Sequence, residues 1–164
     1  MCFWALNSSL NQGRLTGNMS DSLFSKSPLA ELLRPCRFDD VVGQPDVSAA
    51  MAARQAGSGS IILWGPPGTG KTTLARILCD EAGQQFIELS AVFDGVSELR
   101  KVFAAAEKAY STGQQTLLFI DEIHRFNKAQ QDALLPTLER GIVRLVGATT
   151  ENPSFSLNSA LLSR

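Results

Sequence analysis

The residues from Gly65 to Thr72 have the composition and spacing of a loop that binds phosphate. Their sequence satisfies the pattern G-x-x-x-x-G-K-[ST]. Glycines let backbone N–H groups turn toward a polyphosphate, and a helix that begins near Lys71 adds the positive end of its dipole. The Lys71 ammonium can reach the β- and γ-phosphates, and the Thr72 hydroxyl can coordinate Mg²⁺. The predicted nucleotide contacts are Gly65, Pro66, Pro67, Gly68, Thr69, Gly70, Lys71, Thr72 and Thr73.

A second candidate site follows the apolar run 117–120, where Asp121 and Glu122 come directly after it. Ionised carboxylates at the end of a buried strand are costly unless something compensates them, and Mg²⁺ bound to ATP would do so. We expect Asp121 to hold the metal and Glu122 to orient and polarise the attacking water. A solvated acidic turn is the alternative for an isolated pair, but the phosphate loop favours the catalytic interpretation. Because a protein that only binds nucleotide has no need of Glu122, the pair predicts ATP hydrolysis.

The only histidine in the chain, His124, completes the string Asp-Glu-Ile-His. The same string occurs in a class of nucleic-acid helicases, so a helicase of this type is an alternative function. A lone histidine beside a strand end is ordinarily a hydrogen-bonded surface residue. We therefore expect His124 at the surface and assign it no catalytic role.

Short apolar runs alternating with helical patterns must position these residues. The runs cover residues 61–64, 86–89, 117–120 and 143–146, and the helical patterns cover residues 49–56, 73–82 and 97–110. Gly83 should stop the second helix, and Asn127 to Gln130 reads as a capping box that opens a fourth. Pro136 should kink or shorten that last helix. The alternation predicts an α/β fold with a parallel sheet covered by helices on both faces.

Composition and charge are those of an ordinary globular protein, with 44% hydrophobic residues, 19% charged residues and a formal net charge of -1. We expect a flexible leader over residues 1–22, a linker with a small helix over residues 23–59 and the ATP-binding core over residues 60–164. Met19 is an alternative start, which makes residues 1–18 a candidate for an over-extended reading frame. The chain lacks a secretory signal and any apolar run near the ~20 residues of a membrane helix, so we expect a cytoplasmic protein without membrane contact.

Blocks of sequence from Ser27 to Arg164 match one protein family in order. They comprise residues 27–31, 34–35, 41–44, 63–73, 119–136, 147–155 and 158–164. Through them the chain resembles the clamp-loader clade of AAA+ ATPases, and within it the replication-associated recombination protein A family, bacterial relatives of the Werner-helicase-interacting protein. The resemblance implies a P-loop NTPase sheet of the AAA+ type and an ATP hydrolase that uses Mg²⁺. It also implies action in replication-fork maintenance and recombination or repair, in a ring of identical subunits.

The same resemblance implies site residues that spacing does not reveal. Thr150 falls on the sensor position at the end of the fourth strand, between the acids and the γ-phosphate. Arg164 matches the arginine that relatives extend into the neighbouring subunit's ATP site, where it neutralises charge in the transition state. The segment that packs on the adenine corresponds to Val41, Val42 and Gly43.

Partners are likewise implied by the resemblance, which points to DNA with forked, gapped or single-strand/duplex junctions. Ser90 falls where relatives often couple the catalytic glutamate to DNA, and Arg125 and Lys128 begin a helix that relatives turn toward DNA. A single-strand DNA-binding protein or a sliding clamp is a further candidate partner. Besides the helicase, the alternatives are a nonhydrolysing adaptor switched by ATP and a metabolic kinase.

Relatives continue past the position of Arg164 with a fifth strand, a helical lid and an oligomerisation region. The fifth strand pairs with the first strand, so we expect residues 61–64 to form an exposed edge of an incomplete sheet. The chain by itself should therefore be marginally stable and poorly active as an ATP hydrolase.

Overall fold

The computed structural model describes residues 33–43, 45–53 and 59–163. The strands of the described part are β1 (Ile61–Trp64), β2 (Gln85–Ser90), β3 (Thr116–Asp121) and β4 (Val143–Thr149). The helices are α1 (Pro45–Ala52), α2 (Lys71–Glu81), α3 (Val96–Ser111), α4 (Lys128–Glu139), α5 (Pro153–Ser156) and α6 (Ser159–Leu162), with 3₁₀ turns at Phe38–Asp40 and Ile123–Arg125. No helix in these ranges is both long and apolar enough to cross a membrane.

The strands form one parallel sheet in the order β1-β4-β3-β2. The central strands are buried along nearly their whole length, as expected when helices cover both faces of a parallel sheet. Register pairs Ser90 with Asp121 and Trp64 with Thr149, so the carboxyl ends of all four strands share one edge. The predicted fold class is confirmed, and β1 lies at an edge of the described sheet as expected.

Two apolar clusters form the core, one on each face of the sheet. Leu117 and Phe119 of β3 pack with α2, whereas Leu118 and Ile120 pack with residues of α3 and α4. Alternating side chains of one strand point to opposite faces, which is why both clusters draw on β3. Burial of each large aliphatic side chain stabilises the fold by roughly 1.5–3 kcal/mol, so this strand is anchored on both sides.

Two expectations about helices are wrong in detail. The first helix begins at Pro45 rather than residue 49, because the fixed φ of proline suits the first helical position. Helix α4 continues through Pro136 to Glu139 and is not shortened. Pro136 and Asp132 both lie on the exposed face, where water can satisfy the Asp132 carbonyl that loses its N–H partner. The capping box of Asn127 is confirmed, with Gln130 as the reciprocal partner.

Candidate nucleotide site

The loop between β1 and α2 is anchored at its first residue. The Gly65 N–H donates to the Thr149 carbonyl at 3.1 Å, which ties the loop to the end of β4. Gly68 and Gly70 have φ of 80° and 85°, a left-handed conformation that favours glycine. Gly70 is also the N-cap of α2 and makes no side-chain cap. The first N–H groups of the helix therefore remain suited to an anion at this end.

The Lys71 ammonium lies across the loop. Its Nζ donates to the carbonyls of Gly65 and Pro66, both at 2.9 Å. The Thr69 hydroxyl donates to the same Pro66 carbonyl at 3.0 Å. These bonds fold the loop around a fixed cation, and phosphate oxygens are acceptors that can replace the carbonyls.

A cavity of about 460 Å³ joins the loop to the acids. Its lining includes Lys71 together with Asp121 and Glu122, so opposite charges share one cavity. The lining residues are Leu33, Arg34, Pro35, Pro67, Gly68, Gly70, Lys71, Thr72, Thr73, Asp121 and Glu122. Its volume is typical of a small-molecule site.

Arg34 also lines the cavity. Its Nη1 donates to the Thr73 hydroxyl at 3.4 Å, which brings a guanidinium from the start of the described chain to the phosphate loop. An arginine followed by proline far before the loop carries no local sign of this contact. The contact depends on tertiary structure, because residues 34 and 73 meet only in the folded chain.

The two acids take different backbone conformations at the end of β3. Asp121 is the last residue of the strand, and Glu122 follows with φ 52° and ψ 43°. Glu122 is the one non-glycine residue with positive φ in the described ranges. Its Oε2 accepts a hydrogen bond from the Thr150 hydroxyl at 3.1 Å. Thr150, the predicted sensor residue, is thus in direct contact with the glutamate.

His124 lies beside this pair and not at the surface. Its side chain is 4% exposed, and its Nδ1 is 3.2 Å from Glu122 Oε2 and 3.0 Å from Thr149 Oγ1. The Nε2 is 3.6 Å from a carboxylate oxygen of Glu151. The expectation of a surface histidine is wrong because Thr149 and Glu151, distant in sequence, close over the ring.

Several predicted site residues do not line the cavity, and one lies outside the described residues. Val42 is 94% exposed and Val41 packs against the core, and neither they nor Gly43 line the cavity, so their adenine contact stays a prediction. Arg164 lies outside the described residues. Ser90 pairs in register with Asp121, while its N–H donates to the Asp94 carboxylate at 2.7 Å. Its coupling role also stays a prediction.

The donor set of the cavity fits Mg²⁺ held jointly with a nucleotide. In the described ranges no group of three or more His, Cys, Asp or Glu side chains could hold a metal ion. The Thr72 hydroxyl and the Asp121 carboxylate both line the cavity and are oxygen donors of the kind that Mg²⁺ prefers. Magnesium commonly combines one or two protein ligands with substrate phosphates and water.

The family comparison matches the part of the chain that holds this site. Residues 61–164 match the AAA family, the ATPase family associated with various cellular activities. The chain belongs to this family. Within AAA proteins it is 49% identical over 155 residues to replication-associated recombination protein A of Escherichia coli K12, which covers 92% of the chain and 34% of that relative. The predicted resemblance to the replication-associated recombination protein A family is confirmed by this identity.

Two further curated relatives are similar to most of this chain. The chain is 51% identical over 142 residues to replication-associated recombination protein A of Coxiella burnetii, covering 84% of the chain and 32% of the relative. It is 48% identical over 145 residues to the ATPase WRNIP1 of Dictyostelium discoideum, covering 85% and 17%. The chain thus spans about a third or less of the length of these curated relatives.

A solved structure with the same AAA architecture is the RuvB Holliday junction branch migration motor of Thermotoga maritima. It superposes with a TM-score of 0.62 at 32% identity, covering 80% of this chain and 46% of that chain. The likeness supports the P-loop fold assigned from the four parallel strands.

Proposed function

We propose that this chain carries the ATP-hydrolysing site of a DNA-dependent ATPase that acts in replication-fork maintenance and recombination or repair. The observation that carries the proposal is the meeting of Lys71, Thr72, Asp121 and Glu122 at one cavity. A phosphate loop alone would support binding, whereas the glutamate opposite it supports hydrolysis. The names of the relatives support the setting in replication and recombination.

In this proposal, the loop residues bind and orient the nucleotide. The Lys71 ammonium exchanges the Gly65 and Pro66 carbonyls for phosphate oxygens, and the N–H groups at the start of α2 face the same oxygens. Thr72 and Asp121 would hold Mg²⁺, which supplies charge neutralisation on the β- and γ-phosphates. The adenine is assigned to residues 41–43.

Glu122 acts on the attacking water in the proposed reaction. Its carboxylate orients the attacking water and accepts hydrogen bonds from it. The Thr150 hydroxyl donates a hydrogen bond to Glu122 Oε2. Arg164 would reach a neighbouring subunit's site, which makes a ring of identical subunits part of the proposal. Such an arginine contributes roughly 10³ to 10⁵ in rate where it has been measured.

Contact with DNA is proposed for the start of α4. Arg125 and Lys128 are both exposed there, one in the 3₁₀ turn that follows Glu122 and the other at the first position of the helix. Cations at this place can bind phosphates within a few residues of the catalytic glutamate. We also propose a cytoplasmic location, with a single-strand DNA-binding protein or a sliding clamp as candidate partners.

The test is phosphate release by the complete natural protein, with and without a forked or gapped duplex. We expect DNA to raise the rate severalfold and Glu122→Gln to lower it on the order of 10²-fold or more. Glu98→Gln is the matched control, since Glu98 pairs with Lys101 on α3 and does not line the cavity, so it should leave the rate unchanged.

Other outcomes separate the parts of the proposal. Hydrolysis that depends on Glu122 but ignores DNA would leave the ATPase and remove the DNA dependence. Strand displacement by the complete protein would favour the helicase instead. An absence of phosphate release under all conditions would favour the nonhydrolysing adaptor.

A further inference from the structure

His124 is a buried side chain that the proposed reaction does not yet use. It lies in the 3₁₀ turn Ile123–Arg125 after the two acids, with only 4% of its side chain exposed. It is not among the residues that line the nucleotide cavity. Its Nδ1 instead lies near both Glu122 and Thr149, and its Nε2 lies near Glu151.

The hydrogen bonds around His124 determine where its proton lies. The Thr149 hydroxyl donates its single proton to the Glu151 carbonyl at 3.0 Å. At His124 Nδ1 that hydroxyl can therefore only accept, and the Glu122 carboxylate can also only accept. Both contacts are favourable only if Nδ1 carries a proton. The single Nδ1–H then faces two acceptors, Thr149 Oγ1 at 3.0 Å and Glu122 Oε2 at 3.2 Å.

Glu122 Oε2 accepts a hydrogen bond from Thr150 Oγ1 at 3.1 Å and lies 3.2 Å from the protonated His124 Nδ1. A threonine hydroxyl has one proton, so Thr150 cannot donate to Glu122 and to a γ-phosphate at the same time. When Thr150 turns to the phosphate, His124 Nδ1–H is the group within the described ranges that remains in contact with the glutamate. His124 is itself fixed through Thr149 at the buried end of β4.

We propose that His124 is a positioning residue that holds the Glu122 carboxylate at the nucleotide cavity through Nδ1–H. The inference rests on the proposed ATPase function and deepens it. Because His124 acts through Glu122 and does not reach the cavity, its loss lowers kcat and leaves nucleotide affinity unchanged.

Two substitutions of similar polarity separate positioning from packing. In His124→Asn the amide nitrogen can occupy the place of Nδ1, whereas in His124→Gln it reaches the place of Nε2 instead. In the complete natural protein we expect His124→Gln to lower kcat about tenfold or more, as for a small misplacement of a reacting group. His124→Asn should recover most of that loss. The affinity for a fluorescent ATP analogue should stay within about twofold in both, since neither contacts the nucleotide.

A double-mutant cycle tests whether His124 acts through the glutamate. Where Glu122 is already Gln, adding His124→Gln should change the residual rate by less than about twofold, because residues that act as one unit are not additive. Thermal unfolding of each variant verifies that it is folded.

Several results would overturn the inference. It fails if Glu122→Gln abolishes hydrolysis but His124→Gln leaves kcat unchanged, and in that case the proposed function stands. It also fails if both His124 variants lose kcat and ATP affinity in parallel, or if the two losses multiply in the cycle. A natural protein that releases no phosphate overturns the proposed function and the inference together.

Discussion

The phosphate loop and the acid cluster of Asp121, Glu122, His124 and Thr150 meet at one cavity but are built in opposite ways. The loop consists of consecutive residues, uses backbone groups and left-handed glycines, and is exposed at Pro66, Pro67 and Gly68. The cluster joins side chains from the ends of β3 and β4, and its histidine is buried. The proposed nucleotide-binding loop is therefore encoded locally, whereas the placement of the proposed catalytic glutamate depends on tertiary packing.

The largest expected effect separates binding from turnover. Lys71→Ala removes the cation that now lies on the Gly65 and Pro66 carbonyls, and we expect ATP affinity to fall roughly 10- to 100-fold, as for the loss of a charged hydrogen bond. Glu122→Gln should keep the affinity and lose turnover. Titration with a fluorescent ATP analogue measures the first effect, with Lys101→Ala as a surface control. Equal affinity losses in the Lys71 and Glu122 variants would contradict the division between the two regions.

A smaller effect should come from the strand that supports the cluster. An added Cβ at Gly147 would lie 2.8 Å from Ile62 Cδ1 and 3.2 Å from Ile123 Cγ2. Ile123 stands between Glu122 and His124, so this close approach sets how near the acid turn lies to β4. We expect Gly147→Ala to lower the free energy of unfolding by about 1 kcal/mol, since overpacking outweighs the entropic gain from alanine.

The matched control for that substitution is Gly59→Ala, where the added Cβ meets nothing within 4 Å. Urea denaturation of both variants gives the comparison. If both change the unfolding free energy equally, Gly147 is not a packing constraint on the acid turn.

The same division decides what could be predicted from the sequence. The apolar runs located all four strands, and the glycine pattern located the loop, because both signals are local. Nothing local indicated that His124 would be buried, since Thr149 approaches it only when β3 and β4 pair. The close approach at Gly147 and the contact of Arg34 with Thr73 have the same origin. The prediction that Pro136 shortens α4 was wrong because the effect of a proline depends on whether its face of the helix is exposed to water.

The smallest effect concerns α2, the helix behind the loop. Cys79 is fully buried there and donates to the Gln84 carbonyl at 3.1 Å. Burial, with the nearby Asp80 charge, raises the pKa of the Cys79 thiol from 9.0 to about 12. The folded state holds this proton more tightly, so its contribution to stability is complete below pH 9.0 and is lost as the pH rises toward 12.

We therefore expect iodoacetamide to leave Cys79 almost unmodified in the folded protein at pH 8, where its thiolate fraction is on the order of 10⁻⁴. In urea the same residue should react readily. Mass spectrometry of the peptide that contains Cys79 measures both. Equal rates in the folded and unfolded protein would show that α2 does not close over this side of the core.

The left-handed backbone of Glu122 has an evolutionary consequence. A residue with a Cβ costs roughly 1 kcal/mol or more in this conformation, and glycine would remove that cost. Glycine has no carboxylate, so selection for a sturdier fold and selection for turnover oppose each other at this one position. Under the proposed function, a lineage that no longer needed hydrolysis would gain stability from Glu122→Gly. At position 122, a substitution that removes the proposed activity can therefore raise the free energy of unfolding.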